Sequence, residues 1–248
     1  INSDLKFNIN NLKKKVTKNV KAILIVNYFG IPSQIDKISK FCKKKKIFLI
    51  NDNAHGASGI LNKKKIINYG DIGFESYHKI FDEIEYLSVL SINNEKLQKN
   101  FKLSKFNQKF ESNYIKRLLF LTKKKIKKIL FKLIRFKKVN IKNKYDNLYF
   151  DKPISKFDLN FYRKLNFKKE KKIRYNNINL IMKIIKNFKA EPLHKNLKKT
   201  LMIWYFPVKN YNSEFLKYLN VNKIPYIHWP TFPKELISKK NNIIKKNI

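Results

Sequence analysis

The sequence predicts an α/β protein, with a parallel-rich sheet in its first part and a small α/β domain in its last. Three observations carry this. Two continuous apolar runs, Ala22-Ile23-Leu24-Ile25-Val26 and Ile47-Phe48-Leu49-Ile50, are separated by a turn and one helical segment. Two further short strand-like segments, 72–77 and 86–91, stand on either side of Lys79. Past a polar stretch, helical and strand-like segments alternate again to the end of the chain.

The first run, residues 21–27, is of the kind found in strands buried on both faces. Gly30-Ile31-Pro32-Ser33 ends it as a turn. A helix is expected from there, with Ser33 as its cap and Ile35, Ile38 and Phe41 on one face before the lysines at 43–46. Strand, helix and strand at this spacing form a βαβ unit with parallel strands, and ligands in such sheets gather at the C-terminal strand ends. Asp52 and His55 fall just past the second strand. Residues 113–137 read as a basic amphipathic helical segment and 139–153 as a linker. After it, 155–188 read as helix, 200–207 as strand, 213–220 as helix and 224–228 as strand, with a flexible tail from 239. The expected domains are therefore 1–112, the segment and linker at 113–153, a C-terminal α/β domain at 154–238 and the tail at 239–248.

The formal charge of +40 would by itself point to nucleic acid or an anionic surface. Composition offers a plainer source. Lys, Asn, Ile, Phe and Tyr are abundant while Gly, Pro and Arg are scarce, the bias that A/T-rich codons produce. The arginines are Arg117, Arg135, Arg163 and Arg174, whereas readers of phosphate and base edges favour the bidentate arginine fork. Nucleic acid is not the expected partner. A lone cysteine, Cys42, excludes an internal disulfide or a cysteine-cluster metal site, and no uninterrupted apolar run is long enough to cross a bilayer. The sequence opens without Met and without a leader-like segment, which reads as part of a cytoplasmic protein.

Three motifs carry the chemistry. They are Lys21-Ala-Ile-Leu-Ile-Val-Asn27-Tyr-Phe-Gly30-Ile-Pro32 followed by Asp36, then Asn51-Asp52-Asn53-Ala54-His55-Gly56, then Gly70-Asp71-Ile72-Gly73-Phe74-Glu75-Ser76-Tyr77-His78-Lys79. In order and separation they resemble the DegT/StrS family of pyridoxal-phosphate (PLP) dependent sugar aminotransferases, a branch of the fold-type-I PLP-dependent transferases. The resemblance continues, more thinly, into Ile154-Ser155-Lys156-Phe157, Arg174-Tyr-Asn-Asn177 and Ile227-His228-Trp229-Pro230, with a weak patch at 91–150. It implies a partial PLP-binding large domain followed by the small C-terminal domain.

The resemblance also implies roles. Lys79 is the lysine whose amine condenses with the cofactor aldehyde and then moves the proton between substrate and cofactor carbons. Asp52 is the carboxylate that keeps the pyridine nitrogen protonated. His55 lies near the cofactor's phenolic oxygen and Ser76 near its phosphate; no metal is required. The implied activity is transfer of an amino group from an amino acid, typically glutamate, to a nucleotide-linked keto-sugar in surface-polysaccharide biosynthesis, by a homodimer.

Taken singly these residues say little. Basic residues occupy 57 of 248 positions, so a lysine falls at any chosen site about one time in four. Two departures bear on the expectation. Asp82-Glu83-Ile84-Glu85-Tyr86-Leu87 stands where the family carries an Asp-Gly-Gly segment, and Glu75 adds a negative charge beside Ser76, although strand alternation would turn it away. The alternatives are a non-catalytic descendant of the fold acting as a scaffold or binding protein, and a polyanion or membrane-surface binder resting on the charge and the 113–137 segment.

Overall fold

The computed structural model describes residues 5–81, 83–84, 87–101, 122, 126 and 156–228. The expected segments 113–137 and 139–153, the tail from 239, and the boundaries at 112–113, 153–154 and 238–239 lie outside the described residues, apart from helical positions 122 and 126. The chain divides into two compact units, one made of Ile1–Ser112, Pro153–Lys183 and Pro192–Pro207, the other of Asn113–Lys152, Ile184–Glu191 and Val208–Ile248.

The first unit is built on a four-stranded sheet. Its strands are β1 (Ala22–Val26), β2 (Phe48–Asp52), β5 (Ile72–Ser76) and β6 (Ser88–Ile92), in spatial order β1-β2-β5-β6. β1 runs parallel to β2 and β2 parallel to β5, while β6 returns antiparallel along β5. Helix α2 (Ile35–Lys45) makes the crossover between β1 and β2, as the spacing predicts. Ser33 is not its cap. The cap position is Gln34, in left-handed conformation at φ 50° with no side-chain capping bond, and the buried Ser33 hydroxyl instead accepts the Phe7 N–H. Ser33 thereby ties the turn to the segment before α1 (Ile9–Lys15).

Period-two alternation sends Ile23 and Ile25 of β1 and Leu49 of β2 to the face that α2 covers with Ile35, Ile38 and Cys42. Burial of each large aliphatic side chain contributes about 1.5–3 kcal/mol. Cys42 is fully inside, and burial pushes its thiol up to about 11. The expectation that these runs are buried on both faces fails: Leu24 is 54% exposed and Phe48 41%. They are one-face strands whose apolar outer residues make them read as two-faced.

Between β2 and β5, the short hairpin of β3 (Ile60–Leu61) and β4 (Lys64–Lys65) and a 3-10 turn at Ile66–Tyr69 return the chain to the sheet. Gly73 has no room for a side chain, since a Cβ there would lie 2.8 Å from the Ile67 side chain. Helix α3 (Glu95–Asn100) follows β6, capped by the Asn94 side chain. The predicted helix over 155–188 is two helices, α4 (Lys156–Arg163) and α5 (Phe167–Ile185). They break at Lys164–Asn166, where the Asn166 side chain accepts the Lys169 N–H and starts α5.

Residues 200–207 do not form the expected strand. Leu201, Met202 and Ile203 are all buried, and that run of consecutive apolar residues is what reads as a strand. Their backbone goes elsewhere: the Trp204 N–H donates to the Phe29 carbonyl, and the Arg174 guanidinium takes the carbonyls of Ile203 and Trp204. Met202 joins Ala57, Tyr77, Ile80, Phe81, Ile84 and Leu87 in a second core cluster.

In the second unit, α6 (Ser213–Val221) forms where 213–220 predict a helix, and its Asn212 cap accepts the Phe215 N–H. Phe188 packs on Phe215 and Tyr218. Residues 224–228 are not the expected strand. Pro225 has no N–H for a ladder, and the Ile224 N–H closes the end of α6 on Leu219. The strands here are two-residue pieces, β7 (Glu191–Pro192) and β8 (Val208–Lys209). Among the described residues, no helix is long and apolar enough to cross a membrane.

Candidate functional site

The C-terminal ends of β1, β2 and β5 bring together the residues singled out by the motifs. The strand register pairs Val26 with Asp52 and Asp52 with Phe74. Asp52 therefore shares a sheet face with Phe74 and, two residues on, with Ser76. This is the face opposite α2. Lys79 follows Ser76 within one 3-10 turn, Tyr77–Lys79. It comes close enough to Asp52 for that carboxylate to favour the charged form of the amine, while burial, the larger effect, lowers the Lys79 pKa. An amine held below its ordinary range is more readily neutral, as nucleophilic attack on a carbonyl requires.

Asp52 is oriented by its own turn, with Oδ1 accepting the Ala54 N–H at 2.9 Å. That turn delivers His55. Its Nδ1 accepts the Phe29 N–H at 3.2 Å, so the neutral ring carries its proton on Nε2. Burial, and next the charge of Lys79, pull the His55 pKa down to about 4 and keep the ring neutral at ordinary pH. Phe29 and Gly30, at φ 58° and 83°, both lie in the left-handed region, and this turn aims the Phe29 amide at His55. The Phe29 carbonyl receives the Trp204 N–H at 2.9 Å. One residue thus holds His55 by its N–H and Trp204 by its C=O.

Trp204 completes the cluster. Its ring lies 4.3 Å, centroid to centroid, from the His55 imidazole, and the Lys79 Nζ lies 5.6 Å from the Trp204 ring centroid. Nothing in the spacing of the motifs marks Trp204. It sits about 125 positions beyond Lys79, within the apolar run that reads as a strand.

Glu75 is on the other face, as alternation requires. Its carboxylate accepts from the Asn53 side chain at 2.9 Å, the Ser58 N–H at 3.0 Å and the Tyr77 hydroxyl at 3.1 Å. The charge beside Ser76 in sequence is thus turned away from Ser76 in space. Asn53 also donates to the Gly56 carbonyl and accepts from Asn27, which donates to Asn51 as well. This buried amide network, a second feature the motifs do not announce, fixes the 53–58 loop that carries His55. Among the described residues, no cluster of His, Cys, Asp or Glu could hold a metal ion.

As a donor set, an amine of lowered pKa, a carboxylate at a strand end, a neutral imidazole with its proton on Nε2, and a strand-end hydroxyl fit a cofactor that carries an aldehyde, a ring nitrogen, a phenolic oxygen and a phosphate. Lys79 thus stands one short turn beyond the end of a strand in a parallel-rich α/β sheet. Residues 2–81 match the DegT/DnrJ/EryC1/StrS aminotransferase family, so the resemblance carried by the three motifs holds over that segment.

Curated relatives match stretches of similar length. A GDP-4-keto-6-deoxy-D-mannose 3-dehydratase of Yersinia pseudotuberculosis is 37% identical over 78 residues, 30% of this chain and 20% of that protein. A GDP-perosamine synthase of Vibrio cholerae is 27% identical over 73 residues, 29% and 20% of the two chains. Among solved structures, PseC of Helicobacter pylori, an aminotransferase involved in the biosynthesis of pseudoaminic acid, matches with a TM-score of 0.52 at 17% identity, covering 90% of this chain and 53% of that one. A DegT/DnrJ/EryC1/StrS aminotransferase from Brucella abortus matches with a TM-score of 0.50 at 16% identity, over 92% and 54%. These two show the fold. The matches span about a fifth of the curated relatives' length and about half of the solved chains.

Proposed function

We propose that this chain is part of a PLP-dependent sugar aminotransferase, with Lys79 as the cofactor lysine and Asp52, His55 and Ser76 as cofactor contacts. The observation that carries the reading is the meeting of Lys79, Asp52 and His55 at the C-terminal edge of a parallel sheet, in the segment that matches the family. The bound cofactor would supply the electron sink that stabilises negative charge on the substrate carbon. The chain's own residues do the rest. Lys79 offers a partly desolvated amine as nucleophile and proton carrier. Asp52, oriented by the Ala54 N–H, would hold its negative charge toward the cofactor's ring nitrogen and keep that nitrogen protonated. His55 has its Nε2 proton available to a ligand because Nδ1 accepts the Phe29 N–H.

The finer assignment is an amino-acid donor such as glutamate and a nucleotide-linked keto-sugar acceptor, in surface-polysaccharide biosynthesis by a cytoplasmic homodimer. The names of two curated relatives, both carrying a GDP-linked sugar or its product, support the acceptor class. The test is absorbance of the purified protein with added PLP, before and after borohydride, beside Lys79→Ala. A cofactor band that reduction fixes in the parent and not in the variant supports the reading; its absence from a folded parent sinks it for this chain.

One observation favours a second reading, a non-catalytic descendant. Where the family resemblance leads one to expect glycines, Ile84 and Leu87 are 2% and 4% exposed and pack into the core cluster with Tyr77 and Phe81. Apolar anchoring of the segment after Lys79 serves a scaffold as well as it serves an enzyme.

A further inference from the structure

Arg174, on α5, directs its guanidinium at three separate stretches of chain. Nη2 donates to the Ile80 carbonyl at 2.8 Å, and Nη1 to the carbonyls of Ile203 at 3.0 Å and Trp204 at 3.4 Å. Nε donates to Glu170 one turn earlier on α5, at 2.8 Å, which fixes the plane of the fork. Ile80 is the residue after Lys79, and Trp204 is the residue whose ring Lys79 faces at 5.6 Å.

We propose that Arg174 is a positioning residue: by clamping the carbonyls of Ile80 and of Ile203 and Trp204 from one rigid helix, it fixes the Lys79 amine against the Trp204 ring. The inference rests on the reading of Lys79 as the reactive lysine, and it deepens that reading by naming what sets the amine's environment. Neither partner segment has regular structure to hold it. Ile80 ends a three-residue 3-10 turn, and residues 201–206 are irregular. Among the described residues, the backbone tether that remains to Trp204 without the clamp is its N–H on the Phe29 carbonyl. The fork geometry is what the task requires. Lysine in its place brings the charge but cannot direct two planar donors at carbonyls on two segments while a third is held by Glu170.

The experiment reads Lys79 without any cofactor, so it stays informative if PLP does not bind. The full chain is acylated with an N-hydroxysuccinimide ester in trace amount across a pH series, and labelling of the Lys79 peptide is quantified by mass spectrometry in the parent, Arg174→Lys and Trp204→Leu. In the parent, Lys79 should label with a midpoint below that of surface lysines. In Arg174→Lys, with circular dichroism and melting confirming a folded protein, the midpoint should rise towards the surface value as the amine becomes more solvated. Trp204→Leu should move the midpoint as well, since it removes the ring face that the amine sits over. An unchanged Lys79 midpoint in folded Arg174→Lys overturns the proposal. Should Arg174→Lys not fold, Trp204→Leu decides: an unchanged midpoint there means the ring's placement has no bearing on Lys79, and the clamp has no target. Failure of the parent to hold PLP, with the shift present, counts against the cofactor reading and leaves the positioning role standing.

Discussion

His55 and Trp204 meet ring to ring at 4.3 Å, and both hang from the peptide groups of Phe29, the imidazole on its N–H and the indole's own backbone on its C=O. The β1 turn therefore organises side chains from two distant parts of the sequence at the mouth of the sheet. The Lys79 Nζ stands over the Trp204 ring at 5.6 Å from its centroid, and the chemistry proposed for it depends on the pair staying put.

The turn itself is the first place to test this. Gly30 has φ 83°, and a Cβ there would meet the Met202 carbonyl, come within 2.5 Å of the His55 carbonyl and within 2.9 Å of the Gly56 Cα. All three are backbone neighbours that cannot swing aside. Gly30→Ala should cost about 3 kcal/mol or more of unfolding free energy, read as a lowered urea midpoint, because left-handed strain and backbone overlap add.

A second prediction concerns the loop that carries His55. Glu75 satisfies donors from Asn53, Ser58 and Tyr77 inside the protein. Removing the carboxylate leaves the Ser58 N–H and one hydrogen of the Asn53 amide without that acceptor, while Asn53 keeps the Gly56 carbonyl and Tyr77 the Ser58 hydroxyl. Glu75→Ala should destabilise by about 3 kcal/mol, and Glu75→Gln by about 2, since the amide's NH₂ faces a donor on at least one side. Equilibrium denaturation at neutral pH measures both.

The third is a pH dependence. The ordinary histidine value is 6.5 and the folded His55 value is about 4, lowered by burial and then by Lys79. Between those values the unfolded chain binds the proton and the folded one does not, so this residue's contribution is intact above pH 6.5 and is lost as pH falls towards 4. After discounting for the ring's partial exposure, the loss is on the order of 2 kcal/mol. His55→Gln should flatten that part of the stability profile; an equally steep decline in the variant would assign it to other groups.

How much of this was legible in the sequence follows from where each element's hydrogen bonds go. β1, α2 and β2 declare themselves because their backbone bonds are internal or to adjacent strands, and their side chains alternate or repeat to match. Asp52, His55, Ser76 and Lys79 are singled out by two motifs within one short stretch of chain, and their roles toward a cofactor rest on the resemblance those motifs carry. Residues 201–204 mislead for the opposite reason. They are apolar enough for a strand, but Phe29 and Arg174 supply their partners, and no local pattern reveals a partner 30 or 175 positions away. Trp204 and the Arg174 clamp were out of reach on the same ground. Glu75 was half legible: alternation says which way it points, and only the fold shows the three donors awaiting it.

The central claim is that Lys79 is the lysine that takes the cofactor. In a chain this rich in lysine, a PLP absorbance band alone can arise from the surface. The deciding measurement is peptide mass spectrometry after substoichiometric PLP and borohydride. The expected result is the reduced phosphopyridoxyl mass on the peptide containing Lys79 as the dominant product, lost in Lys79→Ala. A label spread over the surface lysines with Lys79 unmodified, in a folded protein, would contradict it.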